Sequence, residues 1–180
     1  MIKAITDLSH YLHDLSSNFE RSRDQLEHCD TRFSQAQFSG LIKAAACEFV
    51  DGGFELHDVR HPLLELSGKA VIPNSVLLDK NKSVLLLSGP NAGGKTVLLK
   101  SAGLAAQMAR CGLPICASEM SKIPFFKKII IGIGDSQNVG AELSTFAAHL
   151  NILNQASRVK GQDQLILIDE ICGSTDPEEG

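Results

Sequence analysis

The chain has no excess of basic charge. Lys and Arg number 17 against 21 Asp and Glu, a formal net charge of -4, so the chain as a whole lacks the electrostatic footprint of a free-standing nucleic-acid binder. Nucleic acid held through another part of a larger protein stays open. The cysteines (Cys29, Cys47, Cys111, Cys116 and Cys172) are odd in number, scattered and without Cys-x-x-Cys spacing. They read as reduced thiols of a cytosolic protein, and the expected localisation is cytoplasmic. No apolar run approaches the ~18 residues of a membrane span. The opening "MIKAITDLSHYLHDL", interrupted by Asp7 and Asp14, is not a secretory signal. Compositional bias toward disorder or collagen-like repetition is also missing. What remains is an ordinary globular chain, long enough for one sizeable domain and an appendage.

Apolar residues recur at Ile5, Leu8, Leu12, Leu15, Phe19, Leu26 and Phe33, while the second seam fades to Ser22, Cys29 and Ala36. This heptad pattern predicts a long helix of about ten turns over residues 1–39, with one narrow apolar stripe. Its length and narrow seam suit a lever joined to something larger. Near Gly40 the character changes, and residues 40–180 form the second predicted unit. "CEFVDGGFELHDV" reads as a β-hairpin turning at Asp51-Gly52-Gly53. "VIPNSVLLDKNKSVLLLS" reads as two strands about an Asp79–Lys82 turn, with Val84–Leu87 apolar enough for a strand buried on both faces. Helix-period residues follow to Arg110 and Gly112. Strands are predicted at 113–117, 127–133 and "QLILID", with a helix at about 144–159. Such alternation predicts an α/β fold with a mainly parallel sheet.

Within it, "SGPNAGGKTVLLK" sets Gly89, Gly94, Lys95 and Thr96 in the order G-x-x-x-x-G-K-[ST], between a predicted strand and a predicted helix. That context makes it a phosphate loop. Glycines let backbone N–H groups curl about an anion, and the following helix presents its positive end. Lys95 is expected on the β/γ-phosphates of ATP and Thr96 on Mg²⁺. The apolar strand ending in Asp169 and Glu170 is the candidate Walker B element, Asp169 at the Mg²⁺ site and Glu170 directing water. In "LSTFAAHLNIL", Ser144 and Thr145 fall at a predicted helix N-terminus. Ordinary capping explains a hydroxyl there. Facing the γ-phosphate held by another subunit is the second explanation.

These motifs, "GPNAGGKT", "GDSQ", "LSTF", "LILIDE" and "GSTDPEEG", preceded by "VRHPLLE", resemble the ATPase domain of the MutS family of DNA mismatch-repair proteins. They look closest to its second bacterial branch, which is linked with suppression of recombination and collided ribosomes and often carries a nuclease. The resemblance covers about Leu41 to Gly180. It implies a P-loop NTPase of the ABC/MutS type preceded by a lever helix, with ATP contacts on Gly89, Pro90, Asn91, Ala92, Gly93, Gly94, Lys95 and Thr96. It also implies Mg²⁺ on Thr96 and Asp169, catalysis through Glu170, Lys95 and a Ser144 supplied in trans, and Gln137 at the nucleotide. Partners implied are a second copy through a composite ATP site, and branched or mismatched DNA or the ribosome through domains outside this stretch; no membrane partner is implied. Val71 and Ile72 stand where mismatch-repair members stack an aromatic on adenine. The family's later strands, histidine switch and dimerisation tail are missing, so a C-terminally truncated fragment with an exposed apolar edge and marginal folding is expected.

Two other classes compete. One is a different sandwich ATPase, a transporter or chromosome-maintenance type, from whose LSGGQ-like signature "LSTFA" departs. The other is a binding-only module. Arg60 and His61 read as structural, Lys122, Lys127 and Lys128 as a solvated basic face, and Phe125-Phe126 as core.

Overall fold

The computed structural model describes residues 2–68, 70–90, 93–133, 142–158, 161 and 163–169. The chain divides into two compact units, Met1–Gly40 and Leu41–Gly180. The first is essentially one helix, α1, running from Ile2 to Leu41, about 60 Å at 1.5 Å per residue. Its hydroxyls turn inward on its own backbone, Thr31 Oγ1 donating to Glu27 O at 2.8 Å and Ser39 Oγ to Gln35 O at 2.6 Å. The heptad residues form a stripe along α1 that faces water, Phe19 at 66% exposed and Leu26 at 70%.

In the second unit the order is β1 (Glu48–Phe49), β2 (Phe54–Val59), α2 (Pro62–Leu66), β3 (Asn74–Leu78), α3 (Lys95–Arg110), β4 (Lys122–Ile123), β5 (Lys128–Gly132), α4 (Glu142–Ser157) and β6 (Gln164–Ile168). The strands make a four-stranded sheet, β1-β4-β2-β3, and a two-stranded sheet, β5-β6. The fold is mixed α/β, and its larger sheet departs from the mainly parallel expectation. Only β1–β4 is parallel there; β2 runs antiparallel to both β3 and β4. The predicted 47–59 hairpin does not form either. β4 slips between its two arms, Glu48 N donating to Ser121 O and Val50 N to Ile123 O, while Gly52 and Gly53 keep the left-handed conformation of a turn. Residues 113–117 make one bridge, Ala45 to Ile115, rather than a strand.

β2 shows how the core is selected. Phe54 and Leu56 point inward with period two, and Val59 would fall on the wrong face. A bulge between Leu56 and Val59, with Asp58 at φ 52°, restores it to the core. Phe54 meets Phe126 edge-on at 5.6 Å. Against them lie Ala102, Ala105, Ala106 and Ala109 of α3, all buried, whose short side chains let the helix approach closely. α3 stops in a Schellman turn, Leu113 N donating to Met108 O and Gly112 N to Ala109 O, with Gly112 at φ 72°.

β5 and β6 pair in parallel from Lys128↔Gln164 to Gly132↔Ile168. Asp163 anchors the start of this register. Its carbonyl accepts from Lys127 N at 2.8 Å, and its carboxylate pairs with Lys127 Nζ at 2.8 Å. Asp169 N donating to Gly132 O at 2.9 Å holds the far end.

The predicted strand at Val84–Leu87 is absent. This segment is irregular, with Val84 79% and Leu86 81% exposed. Among the described residues no strand pairs with it, and a strand without a neighbour has no ladder for its backbone groups.

Candidate functional site

The glycine loop enters α3 through Gly94, the N-cap residue, at φ 78° and ψ 12°. A side chain is strained in that left-handed conformation, and glycine adopts it freely. Gly93 N donates to Pro90 O at 2.9 Å to close the turn, and the first helical bond of α3 runs from Leu98 N to Gly94 O. The N–H groups of Lys95, Thr96 and Val97 therefore precede the helix's own ladder and point out of its positive end. Lys95 folds back over the loop, its ammonium donating to Gly89 O at 2.7 Å and Pro90 O at 2.8 Å. The Lys95 cation thus rests on two backbone carbonyls beside the unpaired N–H groups that open α3.

Thr96 and Asp169 meet. Thr96 Oγ1 donates to Asp169 Oδ2 at 2.5 Å across 73 residues of sequence. A hydroxyl and a carboxylate together are hard oxygen donors of the kind magnesium takes, with water and substrate phosphate completing its shell. The pair therefore fits that ion.

Gly103 governs this juxtaposition, and sequence reasoning passed over it. A Cβ there would lie 2.7 Å from Leu167 Cδ1, so any side chain at position 103 would make Leu167 shift where α3 rests on β6. The signal was a glycine inside a helical run, "SAGLAA", which costs helix stability of ~1 kcal/mol relative to alanine and asks for a packing reason.

Of the other predicted residues, Ser144 lies in the first turn of α4. Asn91, Ala92, Gln137 and Glu170 fall outside the described residues. Ile72 is 82% exposed.

Several side residues resolve. Arg60 Nη2 donates to Lys43 O at 2.9 Å, and its Nε lies 3.8 Å from Glu65 Oε2, a structural role as expected. The Lys43 ammonium, hydrogen-bonded to Glu65, holds that carboxyl below its usual range. Burial, with Lys100 nearby, pushes His61 down from 6.5, and its Nδ1 is buried without a partner. The basic face is largely neutralised, Lys122 pairing with Glu48 at 3.7 Å and Lys127 with Asp163. Phe126 is core at 6% exposed, whereas Phe125 is not. It is 56% exposed and tilts against Phe49 at 6.0 Å, because residue 126 alone faces Phe54.

The chain matches known proteins over this same stretch. Residues 85–180 match the family model described as MutS domain V. The chain belongs to the MutS family. It is 39% identical over 182 residues to the Endonuclease MutS2 of Gemmatimonas aurantiaca, covering 100% of this chain and 22% of that protein. The Anaeromyxobacter Endonuclease MutS2 is 46% identical over 143 residues, or 79% of this chain and 17% of the relative. That of Aquifex aeolicus is 36% identical over 178 residues, or 99% and 23%. This MutS-family chain thus spans about a fifth of the length of the curated relatives it matches. No helix among the described residues is long and apolar enough to cross a membrane.

Proposed function

We propose that this chain is the ATP-binding and ATP-hydrolysing domain of a MutS-type protein, a P-loop NTPase domain carried on a lever helix. Joining of two copies about ATP drives a clamp on DNA, or on ribosomal or RNA structures, in mismatch repair or suppression of recombination. The cytoplasm is its expected compartment. The observation that carries the reading is the Thr96–Asp169 contact, which unites the end of the glycine loop with the end of an apolar strand 73 residues away. Membership of the MutS family supports the same assignment.

In this reading Lys95 exchanges the carbonyls of Gly89 and Pro90 for β- and γ-phosphate oxygens, and the first-turn amides of α3 take the remaining phosphate charge. Thr96 and Asp169 would hold the magnesium ion, which supplies charge neutralisation to the phosphates when bound. Glu170 orients a water and accepts its proton as the oxygen attacks the γ-phosphorus, and the bond from that phosphorus to the β–γ bridging oxygen breaks, leaving ADP and inorganic phosphate. Ser144 of a second copy, at the N-terminal end of α4, completes the site by donating to the γ-phosphate. Coupling follows because nucleotide then binds the joined state more tightly than the separate one.

ATP turnover measured against protein concentration tests this, with Ser144→Ala and Glu170→Ala alone and mixed. The expected result is a specific rate that rises with concentration, falls by two orders of magnitude or more in either variant, and partly recovers on mixing. A constant specific rate that is indifferent to Ser144→Ala would overturn the composite site.

A further inference from the structure

Gly132 closes β5, is buried, and pairs with Ile168 of β6. Its backbone lies outside the left-handed conformation that favours glycine, so what calls for glycine there is space. A Cβ on Gly132 would lie 3.0 Å from Ile152 Cγ2 and 3.8 Å from Ile152 Cδ1. Half-buried Ile152 of α4 thus sits over bare backbone, and a side chain at position 132 would make it give way. Glycine in a strand commonly marks such a close approach. We propose that Gly132 is a positioning residue for Ser144: the room it leaves for Ile152 sets how α4 lies on β5, and so where α4 delivers its first turn. The inference rests on the ATPase reading above.

The contacts of α4 lead to this role. Among the described elements, β5 is the one against which α4 packs most, so the Ile152 contact fixes where the helix lies. Ser144 belongs to the first turn of α4, eight residues before Ile152, or about 12 Å along the axis. A helix closes its own backbone hydrogen bonds and moves as a body. Crowding at Ile152 is therefore passed along α4 to its first turn.

Gly132 also stands beside the other half of the site. Its carbonyl accepts from Asp169 N at 2.9 Å, and Asp169 in turn accepts from Thr96. One residue thus adjoins both things that a chain contributes, Asp169 to its own nucleotide and Ser144 to the nucleotide of a second copy. The two can be separated by substitution. A side chain at position 132 leaves the carbonyl in place and presses on Ile152, while its 3.7 Å approach to Ile168 Cγ1 is an ordinary contact. The resulting defect belongs to the second copy's site.

ATP turnover of the full chain tests this, with affinity for a fluorescent ATP analogue measured alongside. Gly132→Val is expected to lower turnover by about tenfold or more, the scale of sub-ångström misplacement at a reacting centre, with affinity unchanged. Ile152→Ala in the Gly132→Val background should restore most of the turnover, because alanine vacates the volume that valine takes. Mixing variants locates the defect. Gly132→Val with Glu170→Ala should recover turnover, since one chain supplies Glu170 and the other a well-placed Ser144. Gly132→Val with Ser144→Ala should not, since neither chain supplies that hydroxyl in place. Ile152→Phe, which crowds the same spot from α4, should mix in the same pattern and serves if Gly132→Val does not fold. Recovery with Ser144→Ala instead, or with neither variant, would overturn the inference, as would unchanged turnover in Gly132→Val or no rescue by Ile152→Ala. The mixture of Ser144→Ala with Glu170→Ala reports separately on the composite site. No recovery there sinks the ATPase reading, whereas recovery there with the wrong pattern for Gly132→Val sinks the role of Gly132 alone.

Discussion

On its carboxyl side the glycine loop feeds α3, where Ala102, Ala105, Ala106 and Ala109 are all 3% exposed or less. On its amino side Val84–Leu87 is just as apolar, yet Val84 and Leu86 are 79% and 81% exposed. The two flanks differ in what each must borrow. A helix closes its own backbone hydrogen bonds and needs only a surface for one face, which β2, β5 and β6 supply to α3. A strand must take its backbone partners from a neighbouring chain segment, and none of the described strands lies beside 84–87. The held flank is also the one that carries Thr96 to Asp169.

Removing what holds α3 should have the largest effect. Leu167, 6% exposed, fills the place that Gly103 leaves open. Leu167→Ala is expected to cost about 2–5 kcal/mol in urea unfolding. Gly103→Ala should return part of that loss in the Leu167→Ala background, where its methyl finds room and helix propensity favours alanine by ~1 kcal/mol. Additive effects of the two substitutions would show that α3 does not bear on β6 at this point.

A smaller effect is expected from pH. His61 prefers its neutral form in the fold, because burial and then Lys100 of α3 lower it from 6.5. Below pH 6.5 the unfolded chain therefore binds more protons, and stability from this residue falls as pH drops through the lowered value. Chemical denaturation at steps from pH 7.5 to 5 should show that decline, and His61→Asn should flatten it. An identical slope in the variant would mean that the fold does not hold His61 neutral.

The difference between the flanks also explains what was legible beforehand. The long heptad helix, α3, α4, β5 and β6 were readable because period and length specify local structure. The glycine loop was readable because its residues are contiguous. Beyond reach were facts of long-range pairing. β4 entering between β1 and β2 depends on two residues, Lys122 and Ile123, with no strand pattern of their own. The bulge at Asp58 appears in sequence only as a skipped period. Gly103 reads as a flaw in a helix until Leu167 is set against it, and Phe125 differs from Phe126 only by which ring meets Phe54.

The unpaired flank yields the smallest stability effect and the most informative one. Leu86→Ser should change unfolding free energy by less than about 0.5 kcal/mol, the range of substitutions in water-facing positions. A leucine in a strand covered on both faces would lose several times as much on the same change. A loss of 2 kcal/mol or more would mean that Val84–Leu87 is packed in solution and that the two flanks are equivalent. The same variant sharpens the contrast through association. An exposed apolar run with free backbone groups is a template for pairing with other chains, so Leu86→Ser should slow aggregation at unchanged stability. Light scattering at a fixed temperature below the unfolding midpoint separates the two. A slower rise with the same midpoint places the effect on the exposed run, and an unchanged rise places the aggregating surface elsewhere.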